Sequence, residues 1–240
     1  MNVLYNIKWS LKQFKAYPLQ TIINVLGMSI GLTVFALIIL YVSHQKNVDQ
    51  FHKKLDRIYR LENNFGGITP ATYLDLYKPK VPEIEKATRM RYCSGLLCYQ
   101  PENATEIKQG VNGYIALVDY DFFDIFDYPL LNKISKEDFD NPNSIILSES
   151  LAKKIFGKEN PIGKIITYRG NTNLEVIALM KDFAGNSSLF VDAIIPLQFE
   201  PIYYKKPEMH KRWNRWSYET FFLLQEGVSV DSVRKKLDGI

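Results

Sequence analysis

A long uncharged segment near the N-terminus constrains the fold of this chain more than any other feature. From Ala16 to Ser43 the sequence contains no Asp, Glu, Lys or Arg. A helix rises about 1.5 Å per residue, so about 20 apolar residues cross the hydrocarbon of a bilayer. The second half of the segment lacks the polar face of a soluble core helix, and no signal-peptide cleavage site follows it. The segment predicts a transmembrane helix over residues 17–43.

Small and polar residues in the first half of this segment predict that the helix packs against other helices. Gly27 and Gly31 have the G-x-x-x-G spacing, which lets a neighbouring backbone approach closely, although this spacing also occurs by chance in apolar helices. Gln20 and Asn24 lie one turn apart, and their amides need hydrogen-bond partners in lipid. With Ser29, these four residues form the candidate helix-packing set.

The segments on either side of the predicted span are also assigned to helices. Residues 1–16 place apolar side chains at three- and four-residue steps and lysines on another face, which predicts an amphipathic helix at the membrane surface. Residues 44–62 keep apolar side chains in helical register and predict a helical stalk that continues the span. The candidate stalk residues are Phe51, Leu55, Ile58 and Leu61.

Residues 63–240 alternate between strand and helix patterns and predict one α+β domain. "SIILSESLAKKIFG" indicates a strand and then a helix that starts near Ser148, and "KIITYRGNTNLEVIALMKDF" indicates a β-hairpin. "FVDAIIPL" and "YETFFLLQE" indicate two more strands, and a helix near Thr72 is followed by a short second helix after Pro82. The predicted fold is α+β: one N-terminal transmembrane helix followed by a mixed α/β extracytoplasmic domain.

Two cysteines, Cys93 and Cys98, lie five residues apart. In one continuous strand they face opposite sides of the sheet and stay half-buried thiols. A turn at Ser94-Gly95 would instead bring them together, and they could then form a disulfide in an oxidising compartment.

Patterns that carry catalytic or cofactor chemistry are missing from the sequence. "GKENPIGK" has the wrong spacing for a phosphate loop, and the three histidines show no metal-ligand spacing. We therefore expect no catalytic residues, no cofactor, no metal and no enzymatic activity in this chain. The net charge of +4 is too small and too scattered to imply nucleic acid. The basic aromatic tract at residues 203–216 is expected to be a surface loop with Trp213 or Trp216 packed inward.

Several stretches together resemble the MacB/FtsX-like ABC transporter permeases, in particular those common in Bacteroidetes. They are "INVLGMSIGLTVFALIILYV", "VDQFHKKLDRIYRLE", "VDYDFFDIFDYPLL", "NPNSIILSESLAKKIFGKENPIGKII" and "NSSLFVDAIIPL". The resemblance runs in order over most of the chain, and "SESLAKKIFG" followed by "NPIGK" is its most specific part.

The resemblance implies a topology and a set of partners. The N-terminus is expected in the cytoplasm of a bacterium, the first span in its inner membrane, and residues 44–240 in the periplasm. The expected partners are the lipid bilayer, a cytoplasmic ABC ATPase, a second permease copy or homologue, and a periplasmic adaptor. In that family three more spans follow the core domain, so the chain is expected to lack a C-terminal membrane portion.

Two functions follow as alternatives. The first is a permease subunit that couples cytoplasmic ATP hydrolysis to periplasmic motion, in export or in mechanotransmission without transport. The second is a single-span anchored periplasmic module that binds or senses a partner and transports nothing.

Overall fold

The computed structural model describes residues 16–46, 48–63, 66–101, 110–182 and 187–240. The chain divides into two compact units, Met1–Val48 and Asp49–Ile240. We call the second unit the head domain. The predicted surface helix over residues 1–16 lies almost wholly outside the described residues.

The apolar segment forms one α-helix, α1, Pro18–Lys46. Its proline occupies the first turn, where the missing N–H costs no hydrogen bond. The helix has 29 residues and an 18-residue window with a mean hydropathy of 2.5, and none of that window is buried in the described part of the chain. At 1.5 Å per residue its length is about 44 Å, more than the roughly 30 Å of a bilayer's hydrocarbon. It is the one helix among the described residues that is long and apolar enough to cross a membrane.

The head domain is built on one mixed sheet. Its strands are β1 (Ile58–Arg60), β2 (Thr69–Pro70), β3 (Ile84–Cys98), β4 (Val111–Val118), β5 (Ser144–Ser148), β6 (Ile165–Tyr168), β7 (Thr172–Met180), β8 (Ala193–Pro196) and β9 (Trp216–Leu224). Its helices are α2 (Thr72–Tyr77), α3 (Phe122–Ile125), α4 (Lys136–Asp140), α5 (Glu149–Phe156), α6 (Phe199–Tyr203) and α7 (Val230–Asp238). Short 3₁₀ turns lie at Leu55–Arg57 and Met209–Lys211.

The strand order is β1-β9-β3-β4-β8-β5-β7-β6, with β2 also pairing with β9. The far end of β3 pairs with β6, so the strands from β3 to β6 close into a ring. Alternate residues of β4, β5 and β8 face two different apolar clusters, as the period of two in a strand requires. Ile115 and Ile145 belong to one cluster, and Ala116 and Ile146 belong to the other. The sheet is therefore buried on both faces over much of its area.

The most specific sequence pattern folds as predicted. Ser148 ends β5 and caps α5, because its hydroxyl accepts a hydrogen bond from the Leu151 N–H at 3.2 Å. Gly157 ends the helix at φ 71°, a conformation that costs glycine little. The predicted hairpin is β6 and β7, which are antiparallel.

Two local predictions for the head domain are wrong. The short helix expected after Pro82 is instead the start of β3, because residues 84–90 pair with residues 219–224 of β9. Trp213 and Trp216 do not pack inward: their exposed fractions are 55% and 42%. The 203–216 tract is held instead by Met209, which is 2% exposed.

The helical stalk predicted over residues 44–62 is also wrong. Helix α1 ends at Lys46, and Asp49 has a φ of 60°, a left-handed conformation that an α-helix cannot contain. Ile58–Arg60 then forms β1, antiparallel to β9. The apolar register of this segment thus serves packing on the sheet.

The two cysteines are free thiols in β3. No turn interrupts the strand at Ser94-Gly95, since both residues pair with β4. Five residues of extended chain separate the two Cα atoms by about 16 Å, far beyond the roughly 7 Å limit of a disulfide. The alternative of a bridge between Cys93 and Cys98 is therefore wrong for this fold, and burial raises the pKa of the Cys93 thiol.

Candidate functional site: the neck segment and the cavity beside it

The head domain begins with a neck segment, Asp49–Arg57, which is held against two loops. Asp49 binds the first of these, residues 187–189. Its Oδ1 accepts a hydrogen bond from the Ser188 N–H at 2.8 Å and from the Ser187 hydroxyl at 3.3 Å, and its Oδ2 accepts from the Ser188 hydroxyl. The left-handed backbone of Asp49 is thus combined with three hydrogen bonds to a carboxylate, which are stronger than neutral ones.

The second loop, residues 124–127, starts in the last two residues of α3 and is held by the backbone and by a lysine. The Lys53 N–H donates to Oδ2 of Asp127 at 2.7 Å, and the Asp127 N–H donates to Nδ1 of His52 at 3.0 Å. The Lys54 ammonium donates to the Asp124 carbonyl at 2.8 Å. Six hydrogen bonds therefore attach four residues of the neck, Asp49, His52, Lys53 and Lys54, to the rest of the head domain.

His52 is the buried centre of the neck, with 4% of its surface exposed. Its ring lies 5.3 Å from that of Phe126 and 5.9 Å from that of Tyr128. Because Nδ1 accepts a hydrogen bond, the neutral ring carries its proton on Nε2, which has no partner among the described residues. Burial lowers the pKa of His52, and the nearby Asp49 and Asp127 oppose this only in part.

A cavity of about 500 Å³ lies next to the neck. Its floor is one face of β1, β9 and β3, and its wall is the loop that Asp49 holds. The lining residues are Arg60, Tyr92, Ser188, Leu189, Phe190, Glu219 and Phe221. The cavity is therefore lined by three aromatic rings, a leucine and a serine, together with one acidic and one basic side chain.

A second polar centre lies at the other face of the sheet. Glu200 is 1% exposed, and its carboxylate accepts hydrogen bonds from Arg91, from Arg215 at 2.8 Å and from the Tyr218 hydroxyl at 2.6 Å. His210 completes the set at 3.0 Å. Burial and the positive charges of Arg89 and Arg215 lower the pKa of His210 to about 4. Every partner of this carboxylate belongs to the fold, so the cluster anchors the 203–216 tract.

The described residues contain no group of three or more His, Cys, Asp or Glu side chains placed to hold a metal ion. Ser148 and Ser150 contact each other at 3.4 Å, but the hydroxyl of Ser148 is used as a helix cap.

The candidate helix-packing residues all lie on α1 with exposed side chains. At 100° per residue, Gln20, Asn24, Gly27 and Gly31 share a stripe about 60° wide. Ser29 lies about 180° from this stripe, and its carbonyl accepts a hydrogen bond from Thr33 at 2.8 Å. Apart from the two chain neighbours and the nearby backbone of the helix, no described atom comes within 4 Å of a Cβ added at either glycine. The four-residue stripe remains a predicted contact surface, and Ser29 does not share its face.

The predicted stalk residues are dispersed over the neck, β1 and the residue that follows β1. The Phe51 ring lies 4.0 Å from His52, and Leu55 starts the 3₁₀ turn. Ile58 packs against the cluster that contains Phe126, whereas Leu61 packs on the opposite face, near α7. These four residues therefore do not form one continuous helix face.

Sequence reasoning missed the residues that hold the neck. Asp49 and His52 lay inside a segment with helical register, although the polar pair at residues 47 and 49 was a helix-stop signal. Glu219 was missed as well. It is the one charged residue of β9, a pattern that marks one unusual position on a sheet face.

Three solved structures are similar to this one in fold. A domain of a protein described as a permease from Porphyromonas gingivalis has 20% identity and a TM-score of 0.64, and the match covers 77% of this chain and 82% of that one. The extracellular domain of the noncanonic ABC-type transporter YknZ from Gram-positive bacteria has 14% identity, a TM-score of 0.53, and coverage of 75% and 86%. The periplasmic region of MacB from Actinobacillus actinomycetemcomitans has 19% identity and a TM-score of 0.51, and the match covers 75% of this chain and 78% of that one. At these identities the likeness shows the fold, which is that of extracytoplasmic domains of transporter permeases.

The sequence itself identifies the family. Residues 21–240 match the MacB-like periplasmic core domain. The chain belongs to this family, and it is a membrane-anchored protein with a periplasmic domain. No curated protein matches the chain in a sequence comparison.

Proposed function

We propose that this chain is a permease subunit of an ABC-type export or mechanotransmission system in which the neck segment passes movement of the membrane helix to the head domain. The observation that carries the proposal is the set of hydrogen bonds that Asp49, His52, Lys53 and Lys54 make to loops 124–127 and 187–189. A flexible linker would absorb displacement, whereas a segment bonded to two loops transmits it.

The neck can act in this way because its contacts lie at different depths. Asp49 binds at a partly exposed position, and His52 is buried between aromatic rings three residues later. Ile58 then enters the sheet and packs in the same apolar cluster as Phe126. Force applied at Asp49 therefore reaches the core within ten residues of chain, without passing through an unbonded segment.

The partners in this proposal are a cytoplasmic ABC ATPase, a second permease copy or homologue, and a periplasmic adaptor. The stripe of Gln20, Asn24, Gly27 and Gly31 supports the helix contacts, because an exposed small-residue face with amides fits another helix better than lipid. The N-terminus lies in the cytoplasm and the head domain outside the inner membrane.

Cross-linking tests the contact face of α1 in membranes. A Gly31→Cys variant, with Cys93 and Cys98 replaced by serine, is expected to form a disulfide between copies or with another permease helix. Ser29→Cys is the matched control, because it lies on the opposite side of the helix. Equal cross-linking of both variants would contradict the proposal that the stripe is the contact face of α1.

Purification with the ATPase tests the function. The complete gene product, extracted in mild detergent, is expected to retain an ABC ATPase and to stimulate its ATP hydrolysis. The Asp49→Ala variant should retain the ATPase and lose part of the stimulation, while Asp56→Ala, at an exposed position in the same neck, should resemble the wild type. If no ATPase is retained, the alternative of an anchored periplasmic module that binds or senses a partner replaces this proposal.

A further inference from the structure

The cavity beside the neck carries an acidic group that the fold does not use. Glu219 is half-buried in β9, and among the described residues its carboxylate accepts no hydrogen bond and forms no ion pair. Withdrawing this carboxylate from water costs free energy that the positive charge of Arg60 offsets only in part, and a cation that enters the cavity would offset more of it.

The basic group in the same cavity is already paired. The Arg60 guanidinium donates to Oε1 of Glu62 at 3.2 Å through Nε and at 2.5 Å through a terminal nitrogen. Gly67 closes over it, because a Cβ at this glycine would lie 2.8 Å from the Arg60 Nε. Arg60 attracts Glu219 electrostatically as well, but its hydrogen bonds go to Glu62. One arginine therefore faces two glutamates, and a net negative charge remains at the cavity.

The strand register places aromatic rings around this charge. Glu219 pairs directly with Met90, and Tyr92 lies two residues further along β3 on the same face. Phe221 lies two residues from Glu219 on its own strand, and Phe190 completes the wall with 56% of its surface exposed. Aromatic faces attract organic cations, and the attraction grows when water is excluded.

We propose that this cavity is a binding site for an organic cation, a protonated amine or quaternary ammonium group carried on an apolar body. Glu219 supplies the countercharge, and Tyr92, Phe190 and Phe221 contact the apolar body. A volume of about 500 Å³ fits a small molecule, within the roughly 300–1,000 Å³ range of ligand sites. This proposal goes beyond the proposed function, and its test requires neither transport nor the ATPase.

Three probes of similar shape and different charge test the site. The full chain in nonionic detergent is titrated with phenethylamine, with neutral phenethyl alcohol and with anionic phenylacetate, and binding is followed by calorimetry. We expect saturable binding of the amine, at least tenfold weaker binding of the alcohol, and no binding of the acid.

Two variants assign the binding to the cavity. Glu219→Gln keeps the shape of the side chain and should weaken amine binding to the level of the alcohol. Glu226→Gln is the matched control, since this glutamate has 87% of its side chain exposed and lies outside the cavity. Tyr92→Leu should weaken the binding of the amine and of benzyltrimethylammonium at least threefold, and it provides a second variant if the first one unfolds.

Three results would overturn the proposal. They are no saturable binding of either cation to the wild-type chain, amine binding that Glu219→Gln leaves unchanged, and preferential binding of phenylacetate. The last result would assign the cavity to an anion held by Arg60.

Discussion

The bond between Asp49 and the 187–189 loop gives the sharpest prediction for the neck. Asp49→Ala removes a carboxylate that accepts the Ser188 N–H, an interaction with a charged acceptor that contributes about 1.5 kcal/mol at a partly exposed site. It also places alanine at a φ of 60°, which costs about 1 kcal/mol more than for glycine or asparagine. The neck should therefore open more easily by about 2.5 kcal/mol, a factor of roughly 70.

A series of three variants separates these two contributions. Asp49→Gly loses the hydrogen bonds but tolerates the left-handed backbone, so opening should increase only about tenfold. Asp49→Asn keeps one acceptor oxygen and also tolerates this conformation, so the change should stay below about threefold. The expected order of destabilisation is Ala, then Gly, then Asn.

Hydrogen exchange of the Ser188 amide measures the opening directly. This amide is the donor to Asp49, so its exchange rate reports the population of the opened neck. Asp56→Ala serves as the control, because Asp56 is exposed and holds no loop with its side chain. Equal exchange in all three Asp49 variants and the wild type would refute the reasoning.

Two further predictions concern the head domain. Gly95→Ala would place a methyl carbon 2.2 Å from Cε2 of Tyr168, so it should destabilise the closure of the ring between β3 and β6 by about 2–3 kcal/mol. Gly113→Ala, where the nearest atom is a leucine methyl at 3.3 Å, should cost less, and urea unfolding compares the two. The pKa of His210 is lowered to about 4, so the unfolded chain takes up a proton below its ordinary pKa of 6.5 while the folded chain does not. The free energy of unfolding should therefore fall as the pH drops from about 6.5 to about 4, by up to about 3 kcal/mol, and unfolding curves of His210→Gln should show a smaller fall. An unchanged pH dependence in this variant would show that His210 is not held neutral.

The parts of the fold that local signals determine were predictable from the sequence. The helix α5 has a capping serine at one end and a glycine at the other, and its amphipathic pattern leaves no competing structure. The hairpin of β6 and β7 is likewise marked by alternation on both sides of a glycine turn. The length of the apolar segment and its lack of charge were enough to predict helix α1.

The neck and β3 show why the rest was not predictable. Residues 51–61 have helical register, but pairing with β9 and the left-handed Asp49 override that preference. Residues 84–90 contain good helix formers, yet they become a strand because β9 lies beside them. Both outcomes depend on a strand more than a hundred residues away, which no local pattern encodes.

The candidate site depends on the same long-range register. Arg60, Tyr92 and Glu219 come from three separate strands and meet on one face only because β9 pairs with both β1 and β3. The loop at residues 187–190 closes the cavity because Asp49 binds it. No spacing of residues in the sequence predicts such a site.

The distance between α1 and the head domain during nucleotide binding tests the central claim most directly. Spin labels at Ser43→Cys and Glu226→Cys, with Cys93 and Cys98 replaced by serine, are measured in a reconstituted complex with the ABC ATPase proposed as the partner. Transmission through the neck predicts a narrow distance distribution that shifts as one peak when ATP binds, and a broad distribution that does not shift in an added Asp49→Ala variant. The same shift with and without Asp49 would contradict the account.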